Sequence, residues 1–338
     1  MNQDEIFARR LQAAIARHLG APGALHNLQR LTGGATKTTW SFDADVGEKR
    51  LELIVQLSNA GATPVPDPLA GVTPHLNSEE DAQIVMAAER GGVPAPHVYA
   101  VFDEADGIGH GYVTGRVAGE TLGPRIVRDE QFAAARAVMA RQCGEILAAI
   151  HKIDPREAPF LIRQDAAAEV AAYYRYVDHY GLKLPAVELG LKWAADHAPK
   201  NPRMTVLHGD FRTGNLIVGE EGIRCVLDWE ISQIGDPMQD LGWLCVKTWR
   251  FGGKPPVGGF GSREDLFAAY ERASGIPVDP KQVMFWEAFG DVKWAIMCLR
   301  KGMAFSDGTE PISIEQSAIG RRIEEPLWDF LNLIEGRE

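Results

Sequence analysis

Hydrophobic spacing divides the chain near residue 125. Before that point, Ile6, Leu11, Ile15 and Leu19 recur on one stripe, which predicts a helix stopped by Gly20-Ala21-Pro22. Runs at Leu25–Leu31, Thr38–Phe42 and Leu51–Leu57 predict strands. Residues 58–76 hold four prolines and little periodicity, so they read as a loop. Asn77-Ser78-Glu79-Glu80 opens a helix to about Arg90, closed by Gly91-Gly92. Val98–Phe102 and Gly111–Arg116 read as a hairpin. After residue 125 helical periods dominate, at 129–151, 165–180, 186–198, 237–250, 263–274, 280–303 and 311–335. One β island interrupts them, at Met204–Leu207, Asn215–Val218 and Ile223–Leu227. The pattern is α+β: a small β-rich half over 1–112, a crossing at 113–117 and a larger helical half over 118–338.

Composition narrows the class. The chain has 338 residues, 45% hydrophobic and 24% charged, as an ordinary globular protein of about two domains would. A net charge of −11 is a poor match for a nucleic-acid backbone, so no nucleic-acid partner is expected. Met1-Asn2-Gln3-Asp4-Glu5-Ile6 has none of the apolar character of a secretory leader, and no run approaches the ~18 apolar residues of a membrane helix. Cys143, Cys225, Cys245 and Cys298 sit in apolar contexts without C-x-x-C spacing, which predicts buried reduced thiols. The expectation is a cytoplasmic protein without a membrane partner.

The informative stretch is His208-Gly209-Asp210-Phe211-Arg212-Thr213-Gly214-Asn215, followed by a Glu220-Glu221-Gly222 turn and Asp228-Trp229-Glu230. A hairpin of this length returns Asp228 to the end where Asn215 began, so Asp210, Asn215 and Asp228 converge. Carboxylate and amide oxygens suit a hard cation such as Mg2+, which keeps places for water and substrate phosphates. Asn215 and Asp228 are therefore the candidate metal ligands. Asp210 is left to orient a hydroxyl and take its proton, the division of labour of kinase phosphoryl transfer. A Mg2+-dependent phosphohydrolase would use the same three oxygens.

These residues resemble the aminoglycoside phosphotransferase/choline kinase family, which has a bilobal protein-kinase-like fold. The resemblance is carried by Thr32-Gly33-Gly34, Val93-Pro94-Ala95-Pro96, His151-Lys152-Ile153-Asp154, His208–Asn215, Asp228-Trp229-Glu230 and Gly235-Asp236-Pro237 through Asp240 to Trp243. The sequence is most similar to phosphotransferase domains found alone or fused to acyl-CoA dehydrogenases. The resemblance implies an ATP-dependent kinase, with GTP as an alternative donor, acting on a hydroxyl of a small molecule. Aminoglycoside-like, amino-alcohol and hydroxyacyl acceptors all remain open. It also implies Asp210 as catalytic base, Asn215 and Asp228 as Mg2+ ligands, Asp240 as a buttress of the catalytic loop, and Val113 and Gly115 within a hinge that meets adenine. His208 and Arg212 flank the base as supporting residues.

The nucleotide side departs from the family pattern. Gly33 and Gly34 suit a loop whose backbone approaches phosphates. The strand Leu51–Leu57 would carry a phosphate-pairing Lys or Arg, but Gln56 stands there. Its acidic partner falls near Asp81. Glutamine brings no charge, and a charge-assisted bond is roughly twice as strong as a neutral one. Lys37 is the candidate to supply the missing cation. Gln56 also motivates the rival expectation, a nucleotide-binding pseudokinase without activity. Asp236-Pro237-Met238-Gln239 reads as a helix cap, and His151 as a packing histidine. Tyr173, Tyr174, Tyr176 and Trp249 fit either a core or an acceptor pocket.

Overall fold

A computed structural model describes residues 3–20, 24–31, 37–58, 74–303 and 314–337, without the side chains of 315 and 316. Gly33 and Gly34 lie outside the described residues. The first lobe contains α1 (Gln3–Leu19), β1 (Leu25–Arg30), β2 (Lys37–Val46), β3 (Lys49–Ser58), α2 (Ser78–Arg90), β4 (Val98–Phe102) and β5 (Gly111–Gly115). Its strands form one antiparallel sheet in the order β1-β2-β3-β5-β4. Leu11 and Ile15 of α1 pack on Phe42, Leu53, Val55 and Val113, so the predicted apolar stripe closes this small core. β2 runs four residues beyond the predicted Phe42, to Val46, and turns through Gly47 at φ +61° into β3. The acidic residues that hid this extension are paired: Asp43 accepts from Arg116 at 2.8 Å and from Asn27 at 2.6 Å.

α2 begins where its cap predicts. The Asn77 side chain accepts from the Glu79 and Glu80 amides at 3.0 Å, and Glu80 returns a bond to the Asn77 amide. Ile84, Val85, Ala87 and Ala88 of α2 belong to the same continuous core as the helical lobe. Backbone bonds from Leu76 to Glu230 (2.8 Å) and from Val226 to Pro94 (2.7 Å) fasten both flanks of α2 to that lobe.

β5 ends at Gly115, and residues 116–122 cross to α3 (Gly123–Arg128) and α4 (Ala133–Ile150). Next come α5 (Ala166–His179), α6 (Pro185–His197), β6 (Thr205–Leu207), β7 (Leu216–Gly219), β8 (Gly222–Val226) and β9 (Gln233–Gly235). The chain closes with α7 (Met238–Cys245), α8 (Arg263–Ser274), α9 (Pro280–Met303), α10 (Ile314–Gly320) and α11 (Glu324–Ile334). β7 and β8 form the predicted hairpin, with Leu216 opposite Val226 and Gly219 opposite Gly222.

Two expectations need correction, and one strand escapes the sequence pattern. β6 pairs with β9, a strand whose three residues are too few to show a period. The helix expected over 237–250 stops at Cys245, because Lys247–Arg250 tighten into a 3-10 turn ended by Phe251 at φ +47°. The pattern over 311–335 is two helices, α10 and α11. No helix among the described residues is long and apolar enough to cross a membrane. All four cysteines are buried and unbridged, as expected.

Candidate active site

Asp210 sits in the turn after β6, and that turn is fixed before any ligand arrives. Gly209 adopts φ +84°, and a Cβ there would lie 2.3 Å from the Ile231 carbonyl oxygen, so only glycine fits. Asp240 is fully buried and accepts the His208 amide at 2.8 Å and the Gly209 amide at 2.9 Å. His151 Nε2 also meets Asp240, at 3.2 Å, and its Nδ1 meets the Tyr270 hydroxyl at 2.8 Å. Burial alone would raise the Asp240 carboxyl, but His151 and the loop outweigh it and hold it below the usual range. His208 spans the loop: its Nδ1 accepts the Asp210 amide at 3.2 Å, which leaves Nε2–H to donate to the Leu227 carbonyl at 3.0 Å. Burial lowers its pKa, which keeps the imidazole neutral for that bridge. Asp240, His151 and His208 therefore position the turn, although the sequence marks His151 only as a packing histidine.

The Asp210 carboxylate is nearly saturated. Trp243 Nε1 donates to Oδ1 at 2.8 Å, Asn215 Nδ2 donates to Oδ2 at 2.8 Å, and Arg212 Nε reaches both oxygens at 3.0 Å. Two carboxylate oxygens offer about four acceptor directions and these four contacts engage them, so an incoming hydroxyl shares an oxygen with the bifurcated Arg212 contact. Asn215 spends its amide nitrogen on the Asp210 side chain and carbonyl, which turns its Oδ1 away from that contact. The Leu227 amide donates to the Asn215 carbonyl at 2.8 Å, so the hairpin brings Asp228 beside Asn215 as its length predicts. Asp228 takes φ +67°, a left-handed conformation that costs a non-glycine residue about 1 kcal/mol.

Asp228 is exposed, yet its carboxyl is raised well above the usual carboxylate range. Displaced water is the first cause, followed by the Glu230 and Asp210 carboxylates; Lys37 and Arg212 offset part of it. Counting Asp228 itself, carboxylates outnumber the cations that act on it, an imbalance a divalent cation would relieve. The free face of Asn215 and the crowded Asp228 thus fit the Mg2+ expected of them.

Lys37, the first residue of β2, places Nζ 2.6 Å from Asp81 Oδ2 and 3.0 Å from Glu230 Oε2. Tyr112 on β5 donates its hydroxyl to the same Asp81 oxygen at 2.8 Å. Burial alone would lower the Lys37 ammonium, but Asp81 and Glu230 outweigh it and raise its pKa. Strand register explains the substitution. Gln56 stands opposite Thr39 on one side and Tyr112 on the other, and Lys37 lies two residues from Thr39. Side chains two apart share a face, so Lys37, Thr39, Gln56 and Tyr112 all point from the sheet toward α2. Lys37, on the strand beside Gln56, thus pairs with the acid that the resemblance assigns as partner to a cation at position 56.

Other expected residues fall elsewhere. The Val113 side chain is fully buried in the sheet core, so only its backbone can face a ligand, and Gly115 is the last residue of β5. The Tyr173, Tyr176 and Trp249 side chains are buried, which favours the core reading. Asp236 accepts the Met238 amide at 3.0 Å, close to its predicted capping role, and also the Trp286 indole at 2.8 Å. Gln239 does not complete that cap; its amide donates to Glu169 on α5 at 3.0 Å.

Sequence reasoning missed Trp243, Tyr112 and Glu230. Trp243 lies one helical turn after Asp240, and that i, i+3 spacing was the available signal. Glu230 lies two residues after Asp228. Nothing local marked Tyr112, whose role comes from sheet register.

The sequence profile of the phosphotransferase enzyme family (APH) matches residues 27–276. Acyl-CoA dehydrogenase family member 10 of Mus musculus is 24% identical over 286 residues, 75% of this chain but only 25% of that protein. The chain therefore spans about a quarter of that relative's length. Among solved structures, a putative aminoglycoside phosphotransferase from Ralstonia eutropha superposes with a TM-score of 0.72 at 19% identity, covering 95% of this chain and 97% of the other. A choline/ethanolamine kinase family protein from Mesorhizobium loti gives 0.64 at 22% identity, covering 99% and 95%. These likenesses establish the kinase-like fold. With its profile match across most of the length, the chain belongs to the phosphotransferase enzyme family.

Proposed function

We propose that this chain transfers the γ-phosphate of ATP, or of GTP as the alternative donor, to a hydroxyl of a small molecule. What supports this most is Asn215 bonded to the Asp210 side chain at 2.8 Å, the backbone bond from Leu227 that puts Asp228 next to Asn215 in the chain path, and Lys37 bridging Asp81 to Glu230. Asp210 accepts the acceptor's hydroxyl proton as its oxygen bonds to the γ-phosphorus. The bond from that phosphorus to the bridging oxygen breaks, and the nucleoside diphosphate leaves with the electron pair. Asn215 and Asp228 would hold Mg2+, which supplies charge neutralisation on the phosphates. Lys37 holds the nucleotide phosphates from the sheet side, with Asp81 fixing its position. Gly33, Gly34, Gln56 and the backbone at Val113 and Gly115 complete the nucleotide side of this reading.

Positioning dominates the energetics. Orienting two bound reactants can supply ~7–11 kcal/mol, whereas a general base supplies about 100- to 10,000-fold. Gln56 favours the second reading, a nucleotide-binding pseudokinase; Lys37 at the same acid weighs against it. A thermal-shift series with ATP, with and without Mg2+, followed by phosphorylation of a hydroxyl-compound panel separates the two. A ligand at 100 times its Kd stabilises by ~2.7 kcal/mol, so binding is readily seen. Activity on any acceptor establishes the kinase, a nucleotide shift without turnover supports the pseudokinase, and no shift with any nucleotide removes both.

A further inference from the structure

Arg212 is built more elaborately than a loop-closing salt bridge requires. Its Nε meets both Asp210 oxygens at 3.0 Å, and its guanidinium lies 4.8 Å from the centre of the Trp249 ring. Trp249 is wedged between Trp243 at 5.2 Å and Trp294 at 4.9 Å, so the platform under the arginine is itself fixed. Gly214 makes room for it: a Cβ there would lie 2.4 Å from Arg212 Nη1. Among the described residues neither terminal nitrogen of Arg212 makes a hydrogen bond, although the side chain is only 24% exposed. A planar fork held at its inner nitrogen and along its face presents its outer edge, the geometry that takes two oxygens of one anion.

We propose that the outer edge of Arg212 binds an oxyanion beside the reacting hydroxyl. The anion is the phosphoryl group in transfer or a carboxylate carried by the acceptor. Arginine and Trp249 do not suit a cationic acceptor at this point: the aromatic face that would receive an ammonium is already covered by Arg212. The inference rests on the phosphotransferase reading and adds a charge requirement to it.

The test compares wild type, Arg212→Gln and Arg212→Lys. Affinities are measured for MgADP and for a non-hydrolysable Mg2+–triphosphate analogue. Turnover is measured on short-chain hydroxy acids, each beside its primary amide. If Arg212 holds the transferred phosphoryl, the wild-type preference for triphosphate over diphosphate falls about tenfold in Arg212→Gln. If it holds an acceptor carboxylate, the nucleotide preference stays and the acid-over-amide preference in kcat/KM falls about tenfold. Arg212→Lys keeps the charge without the fork and recovers only part of either preference; it also serves as the readout should Arg212→Gln fail to fold. Equal losses for both members of each pair, or no loss at all, overturn the assignment and leave Arg212 as a brace for the loop. Wild-type protein that binds neither nucleotide instead overturns the phosphotransferase reading, and the Arg212 assignment with it.

Discussion

Lys37 shows how much one side chain can carry. Its ammonium joins Asp81 of α2 to Glu230 beside the candidate metal ligand, with only 12% of the side chain exposed. Replacing it by alanine leaves Asp81 buried against Tyr112 without its cation. We expect Lys37→Ala to weaken MgATP binding about tenfold or more, since hydrogen bonds to charged groups contribute ~1.5–3 kcal/mol. Titration calorimetry measures this directly. Because Gln56 and Lys37 share one face of the sheet, the double variant Lys37→Ala with Gln56→Lys should regain part of the loss. Unchanged affinity in Lys37→Ala means the phosphates are held elsewhere. The two acids on the other wall should separate by role. Asp210→Asn keeps nucleotide binding and loses at least ~100-fold in turnover, as expected of a general base. Asp228→Asn loses MgATP affinity as well as rate, because the cation and the phosphates it carries bind together.

At the scale of elements, the site is a short strand, a turn and a hairpin whose lengths leave little freedom. Gly209 is the pivot: alanine there meets the Ile231 carbonyl and a backbone angle that L-residues avoid. Gly209→Ala should cost more than about 1 kcal/mol of stability and displace Asp210, read as a lower Tm together with a lower kcat. The chain made this part legible because its signals are local. The His208–Asn215 spacing, the Glu-Glu-Gly turn and the Asn77 cap each lie within one element, and the structure reproduces the hairpin and the cap. What stayed hidden depends on register between distant segments. Tyr112 meets Asp81 because sheet register brings β5 under α2, and β9 forms where residues 233–235 pair with β6 on one side and with residues 162–164 on the other. That Lys37 shares a sheet face with Gln56 and pairs with Asp81 is likewise a matter of register. No periodicity within one segment encodes such pairings.

The whole molecule is less evenly divided than its two-lobe outline implies, because α2 is rooted in the helical lobe while its Asp81 serves the sheet. The same helical lobe carries charges into its own core. Asp291 of α9 is buried, its Oδ1 has no hydrogen-bond partner among the described residues, and Glu287 and Asp329 act on it electrostatically. Burial first, and those two carboxylates next, raise its pKa well above the ordinary value, against the opposing pull of Arg250 and Lys247. Glu287 is engaged by Arg250 and Arg263, each at 2.8 Å. The sign of the consequence follows from linkage. The unfolded chain releases this proton near the ordinary carboxyl value of 3.8, while the folded chain keeps it to higher pH. Between those limits the native state binds more protons, so the stability that Asp291 contributes is complete at low pH and is lost as pH rises through the folded pKa. Asp291→Asn removes the titration with little change of shape. Urea unfolding should therefore show the variant gaining on wild type as pH rises from acid to neutral, with the two curves closest at the acid end. A difference that stays constant with pH would mean that Asp291 is ionised in the folded protein and that Arg250 or Lys247 compensates it fully.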